Sequence, residues 1–173
     1  HPIPQSSYTA SNSPVCLGDT LKLYAINYSK NYYLDTSTII PFIDISLSGT
    51  SVGVLSTNSE HNVSVPTFIF NASSINQLRI GANGMILLNS ITDEIPAFNY
   101  DLVTNIYGLS TSLLAPFWDA LDVQVGSDIL TKTQGDLFII QYNNMKHQSM
   151  SSGSITFQVQ INFITSEISF VYP

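Results

Sequence analysis

The most constraining stretch of this chain is ITFQVQINF, residues 155–163. Ile155, Phe157, Val159, Ile161 and Phe163 alternate without exception with Thr156, Gln158, Gln160 and Asn162. Successive side chains of a strand point to opposite faces, so a period of two describes a strand with one apolar and one polar face. Ile168, Phe170 and Tyr172 resume the pattern after a short break, which predicts a terminal antiparallel hairpin. Such a hairpin must bury its apolar face against a second layer.

The rest of the chain is read in the same terms. No segment of ten or more residues carries a 3.6-residue apolar repeat. Residues 19–27 (DTLKLYAIN), 41–47 (PFIDISL), 63–71, 77–80, 85–89, 128–132 and 136–142 read as further short strands. Pro66, inside 63–71, cannot donate to a ladder and argues for an edge or a bulge. Asn83-Gly84 favours a type I′ hairpin turn, and Gln134-Gly135 joins another pair. Residues 28–37, 90–112 and 143–153 read as loops, the second long enough to be functional. About ten short strands with turn signals between them predict an all-β, antiparallel sandwich of the jelly-roll or immunoglobulin-like kind, with little or no helix.

Composition narrows the function classes. Charged residues make up only 10 %, against about 25 % in a typical globular chain, and Ser, Thr and Asn supply the missing polarity. Five Lys+Arg against twelve Asp+Glu give a net charge of −7. Nucleic-acid binding draws its affinity from clustered cations, and none cluster here. Cys16 is the only cysteine, so no intrachain disulfide can form. No apolar run approaches the ~20 residues of a transmembrane helix. The start, HPIPQSSY, lacks a leader's charged and apolar regions. A leader already removed, or a piece of a longer chain, would account for it.

The only tryptophan lies in LLAPFWDALD, residues 113–122. Asp119 and Asp122 are weak candidates for Ca²⁺, since hard cations take carboxylate oxygens, but two carboxylates fall well short of six to eight ligands. The expectation is that Asp119 instead ties down local backbone N–H groups. No cofactor and no metal are expected. Trp118 could be a sugar-stacking platform. Flanked by Ala115, Phe117 and Leu121, it is expected in the core, with Phe117 on the opposite side and Pro116 interrupting a ladder. His61 and His147 have no Ser, Cys or Asp at a recognisable spacing. Ser110, Ser112, Ser149, Ser151 and Ser152 sit in polar loops without a G-x-S-x-G elbow. Glu94 and Asp101 could form a glycosidase carboxylate pair, but a solvated loop is the expectation. With no P-loop, GxGxxG or HExxH motif, no enzyme is expected. Asn27, Asn62 and Asn71 head glycosylation sequons, which arise readily by chance in so Asn- and Ser-rich a chain.

Four stretches, in order, carry a resemblance. SVPTFIFN (64–71), RIGANGMILL (79–88), LLAPFWDALD (113–122) and ITFQVQINFITSEISFVY (155–172) are similar to successive strands of a β-sandwich module of bacterial cell-surface proteins. The APFWD segment is shared with nidogen-like extracellular domains. Asn83, Gly84, Pro116, Phe117, Trp118, Asp119, Phe157 and Tyr172 form the signature. SPVCLGDTLKLYA (13–25) resembles the opening strand of an immunoglobulin-like module, so residues 1–40 read as a lead-in with one such strand and 41–173 as the sandwich. Ala120 stands where the family usually has a second acid, and the family normally continues past FVY. The resemblance implies a non-catalytic, extracellular module exported by the type IX system, acting in adhesion or as a structural unit of a surface assembly. Its partners would be glycan or protein ligands, met by the loops 90–113 and 143–153, or neighbouring modules. The alternative is a carbohydrate-binding or glycan-processing domain, and a further option is a subunit that donates or accepts a strand.

Overall fold

A computed structural model describes residues 20–25, 32–35, 38–96 and 112–173. Among these the chain forms strands β1 (Thr20–Ala25), β2 (Tyr32–Asp35), β3 (Thr50–Ser51), β4 (Glu60–Phe70), β5 (Ser73–Gly81), β6 (Ile86–Leu88), β7 (Leu113–Leu114), β8 (Leu121–Asp122), β9 (Asp128–Gln134), β10 (Leu137–His147), β11 (Ile155–Asn162) and β12 (Glu167–Val171), with no helix. The larger sheet runs β2-β1-β12-β11-β10-β9-β3, with β8 paired to one end of β10, and the smaller runs β4-β5-β6-β7. The pairings are antiparallel.

The two sheets close on each other as a sandwich. Phe68, Ile75, Leu78, Ile80, Ile86 and Leu88 from the smaller sheet meet Phe138, Ile140, Tyr142, Phe157, Val159, Ile161, Ile168 and Phe170 from the larger. The alternation over 155–163 therefore does what its period requires, and 155–172 forms the expected hairpin. The β4–β5 pair breaks register between Ser64 and Phe68, around Pro66, as a missing N–H demands.

Three local expectations are corrected. The Asn83-Gly84 hairpin is real but not type I′. Gly84 N–H donates to the Gly81 carbonyl at 3.1 Å and Gly81 N–H to the Met85 carbonyl at 2.9 Å. This closes a three-residue loop in which only Gly84 takes a positive φ, +85°. A different turn has left-handed values at both central positions, Asn71 (+48°) and Ala72 (+60°), between β4 and β5. Residues 28–37 contain β2, and β10 runs into the supposed loop 143–153 as far as His147, by way of a register shift between Tyr142 and Met145.

The third correction concerns residues 41–47, which form no strand. β2 and β3 follow one another in the chain but lie at opposite edges of the larger sheet. The connection must cross that sheet's outer face, and it does so as an extended strap. Gln158 accepts from Ile43 N–H at 3.2 Å and donates to the Ile43 carbonyl at 2.6 Å. Gln141 accepts from Ile45 N–H at 2.9 Å, and Gln160 donates to the Pro41 carbonyl at 3.0 Å. Gln158 also donates to Gln141 at 2.7 Å and accepts from Gln160 at 2.9 Å, so the three amides form one chain. Ile45 packs on Leu130 and Ile139 as a separate small cluster. The strands beneath are thus buried on both faces.

Candidate functional site

The signature residues assemble at one junction between the sheets. Gly84 is required there twice over: its φ is +85°, and a Cβ would lie 1.9 Å from the Phe117 carbonyl oxygen. Asp119 N–H donates to the Asn83 carbonyl at 3.1 Å. The Asn83 side-chain amide donates to the Pro96 carbonyl, which also accepts from Trp118 Nε1 at 3.0 Å. Trp118 is buried against Met85, Leu87 and Ile95.

Phe117, next in sequence, faces the main core. Its ring stacks 5.7 Å from Phe157, which stacks 4.4 Å from Tyr142 and 6.3 Å from Tyr172. The Tyr142 hydroxyl donates to the Gly81 carbonyl at 3.0 Å and the Tyr172 hydroxyl to the Pro116 carbonyl. Burial pushes both phenols upward, that of Tyr172 to about 12. The eight signature residues thus make an architectural junction in which every polar tip has a backbone partner.

On the surface of this junction the chain is tied by β8 and the end of β10, where Leu121 pairs with His147 and Asp122 with Lys146. Asp119 accepts from Ala120 N–H at 2.8 Å and lies 3.3 Å from His147 Nε2. Ser149 N–H donates to His147 Nδ1 at 3.1 Å, and the Ser149 hydroxyl is 2.6 Å from the same nitrogen. A nitrogen facing a backbone donor must accept, so the ring proton sits on Nε2, toward Asp119. His147 therefore has the aspartate and serine partners that its sequence spacing did not reveal. The order is that of a relay, but Ser149 is exposed in a turn closed by Met150 N–H on the His147 carbonyl at 2.9 Å. The same contacts serve to fasten the end of β10.

Asp122 turns elsewhere. The Thr57 hydroxyl, with the Val123 amide behind it, holds its carboxyl below the usual carboxylate range. The two aspartates thus engage different partners, and no cluster of three His, Cys, Asp or Glu side chains suited to a metal occurs among the described residues. Glu94 is exposed. Asp101, Ser110, Cys16 and Asn27 lie outside the described residues, as does 97–111 of the long connection. His61 Nε2 is 3.3 Å from the Ser59 hydroxyl. The Asn62 amide is held by Arg79 at 3.0 Å and the Ile91 carbonyl at 3.0 Å, whereas Asn71 sits at an exposed turn.

A groove of about 230 Å³ runs beside the strap, with Ile40, Pro41 and Leu137 facing Gln160, Asn162 and Glu167. Sequence reasoning did not anticipate it, because it exists only once the strap is laid across the sheet. The one available signal was the run of glutamines at 141, 158 and 160.

Two antiparallel sheets locked by an aromatic junction define an all-β sandwich module. Residues 31–173 match the family model described as NIDO related, and the chain belongs to that nidogen-like family. No curated protein and no solved structure gives a match. No helix among the described residues is long and apolar enough to cross a membrane.

Proposed function

We propose that this chain is a non-catalytic module of an exported bacterial surface protein, acting in adhesion or as a structural unit of a surface assembly. The observation that carries the reading is its membership of a nidogen-like family over residues 31–173, which supports an extracellular setting. The resemblance of its four strand motifs to type IX-exported surface modules supports the bacterial address. The signature residues are spent on holding the sheets together, which leaves ligand contact to the connections around 90–96 and 147–153. The exposed turn at 147–153 belongs to the second of these. Arrays of glycans, matrix proteins and whole cells test the proposal, with binding to any one supporting adhesion and uniform failure favouring a spacer.

The groove beside the strap favours one second reading, carbohydrate binding. Amide and carboxylate groups of Gln160, Asn162 and Glu167 opposite aliphatic Ile40 and Leu137 suit a sugar's hydroxyls and its C–H face. Glycan-array signal lost in Asn162→Ala and Glu167→Gln would establish it. Signal retained in both would place any glycan elsewhere.

A further inference from the structure

We propose that the edge of β12 is a strand-acceptor site, filled here by β1 of the same chain and able to take β1 from a second copy. The family match begins at residue 31 and so takes in β2 to β12 while leaving β1 outside. Yet β1 is no ornament at the rim of the sheet. It is inserted between β2 and β12, pairing Thr20 to Leu23 with Val171 to Ile168 on one side and Lys22 to Ala25 with Asp35 to Tyr32 on the other. Within the sheet, β2 and β12 of the matched residues are therefore joined through a strand that lies outside the match.

The acceptor edge is built to hold a strand. Ile168, Phe170 and Val171 are buried, and β12 is paired along its other side to β11 from Gln158 to Asn162. Its remaining N–H and C=O groups are thus presented on a fixed line, which is a template for any strand of suitable register. Recognition of this kind runs through the main chain, so a strand from a neighbouring copy makes the same bonds as the resident one.

The strap supplies the reach. The β1–β2 pair is joined to the body by residues 36–49, which if extended span about 45 Å. Residues 41–45 are held to the sheet by amide hydrogen bonds of the three glutamines, outside the main apolar core. Releasing the strap exchanges those bonds for water and uncovers the contact of Ile45 with Leu130 and Ile139, and re-laying it from a second chain restores both, which is the condition for a domain swap. Within one chain the tether gives the resident strand an effective concentration in the millimolar range, so exchange is favoured by crowding of copies on a surface. The inference concerns strand geometry alone and holds whatever the module binds.

The test uses two 173-residue chains in a Cys16→Ser background, one carrying Lys22→Cys and the other Ser169→Cys, which are register partners. Mixed at high concentration and oxidised, they should give a disulfide-linked heterodimer whose yield rises with concentration. Adding Lys22→Pro and Leu23→Pro to a donor labelled at Thr20→Cys, with Val171→Cys as acceptor, should abolish the product. Consecutive N–H groups of a strand point to opposite sides, so the pair removes one donor toward each neighbour. A synthetic peptide of residues 18–27 in tenfold excess should compete the original heterodimer down several-fold, a readout that does not need the proline chain to fold. A chain carrying both Lys22→Cys and Ser169→Cys that cross-linked within itself, while the mixed single-cysteine chains gave no heterodimer at any concentration, would overturn the proposal. So would a heterodimer indifferent to the peptide.

Discussion

The junction around Phe117 and Trp118 and the strap over Gln141, Gln158 and Gln160 are both buried, and they are held by opposite means. The junction is apolar area with a few backbone bonds at its polar tips: Trp118 on Met85, Leu87 and Ile95, and Phe117 on Phe157. The strap is a chain of amides that replaces the water its backbone would otherwise bind. Apolar burial contributes in proportion to area and tolerates repacking. An amide chain contributes little net per bond, but costs much when one member is removed, since the partners are left buried and unpaired. The first kind of contact fixes the fold, and the second fixes where a connection lies on it.

The sharpest way to break that contrast is at the junction. Gly84→Ala places a Cβ 1.9 Å from the Phe117 oxygen at a φ of +85°. Both the turn and residues 117–119 must then move, at a cost on the order of 4–5 kcal/mol. Trp118→Ala should cost about 3–5 kcal/mol by emptying its pocket and removing one of the two donors to the Pro96 carbonyl. Urea titration measures both. A native-like midpoint for either would mean that the junction does not hold the sheets.

At the strap the expected effect is smaller and of a different kind. Gln158→Leu keeps the volume but strands the Ile43 N–H and carbonyl and takes one partner from each of the Gln141 and Gln160 amides, for about 2–3 kcal/mol. Hydrogen exchange at Ile43 and Ile45 should rise while the β11–β12 ladder stays protected. Equal loss in both would show that the strap is part of the global folding unit.

This contrast also explains what the sequence made legible. The hairpin at 155–172 and the core position of Trp118 were readable because apolar area leaves a period or a cluster behind. The glutamines were not, since glutamine is ordinarily a surface residue. Their burial depends on β2 and β3 lying at opposite edges of one sheet, a fact of topology. Residues 41–47 show the same limit: alternation of Phe42, Asp44 and Ser46 with Ile43 and Ile45 looks like a strand, but their backbone meets side chains instead of a neighbouring strand. His147 found its partners only through the β8–β10 pairing, which brings Asp119 across from 28 residues away. Asn83-Gly84 announced a hairpin correctly, but the close approach of Phe117 that demands glycine comes from a segment no local rule contains.

Titration offers gentler probes of each region. At the junction, Tyr172→Phe leaves the Pro116 carbonyl without its donor, for about 1–2 kcal/mol. The wild-type phenol is raised to about 12 by burial, so the fold favours its neutral form. That contribution is complete below the ordinary value near 10 and is lost as pH climbs through about 12. Stability followed by circular dichroism should therefore fall above pH 10, and fall less steeply in Tyr172→Phe. Part of the decline should persist, because burial raises Tyr142 as well. An identical alkaline limb in the two proteins would remove Tyr172 from the account.

At the strap the corresponding group is Asp44, and its effect should be the smallest. Its carboxyl accepts from Gln141 Nε2 at 3.0 Å and from Ser46 N–H at 2.9 Å, and these bonds, the glutamine's first, hold it below the usual carboxylate range. The fold thus favours the ionised form. The contribution is present above the unfolded value of about 3.9 and disappears as pH falls through the lower folded one. Protonation should loosen Gln141 before anything happens at the aromatic rings of the junction, because the Trp118 and Tyr172 tips donate to backbone carbonyls and not to a carboxylate. Exchange at Ile45, corrected for intrinsic rates, should accelerate below pH 4 while Trp118 fluorescence stays constant. In Asp44→Asn the acid step at Ile45 should vanish. Were Ile45 and Trp118 to respond together at the same pH, strap and junction would be one cooperative unit and the contrast between them would fail.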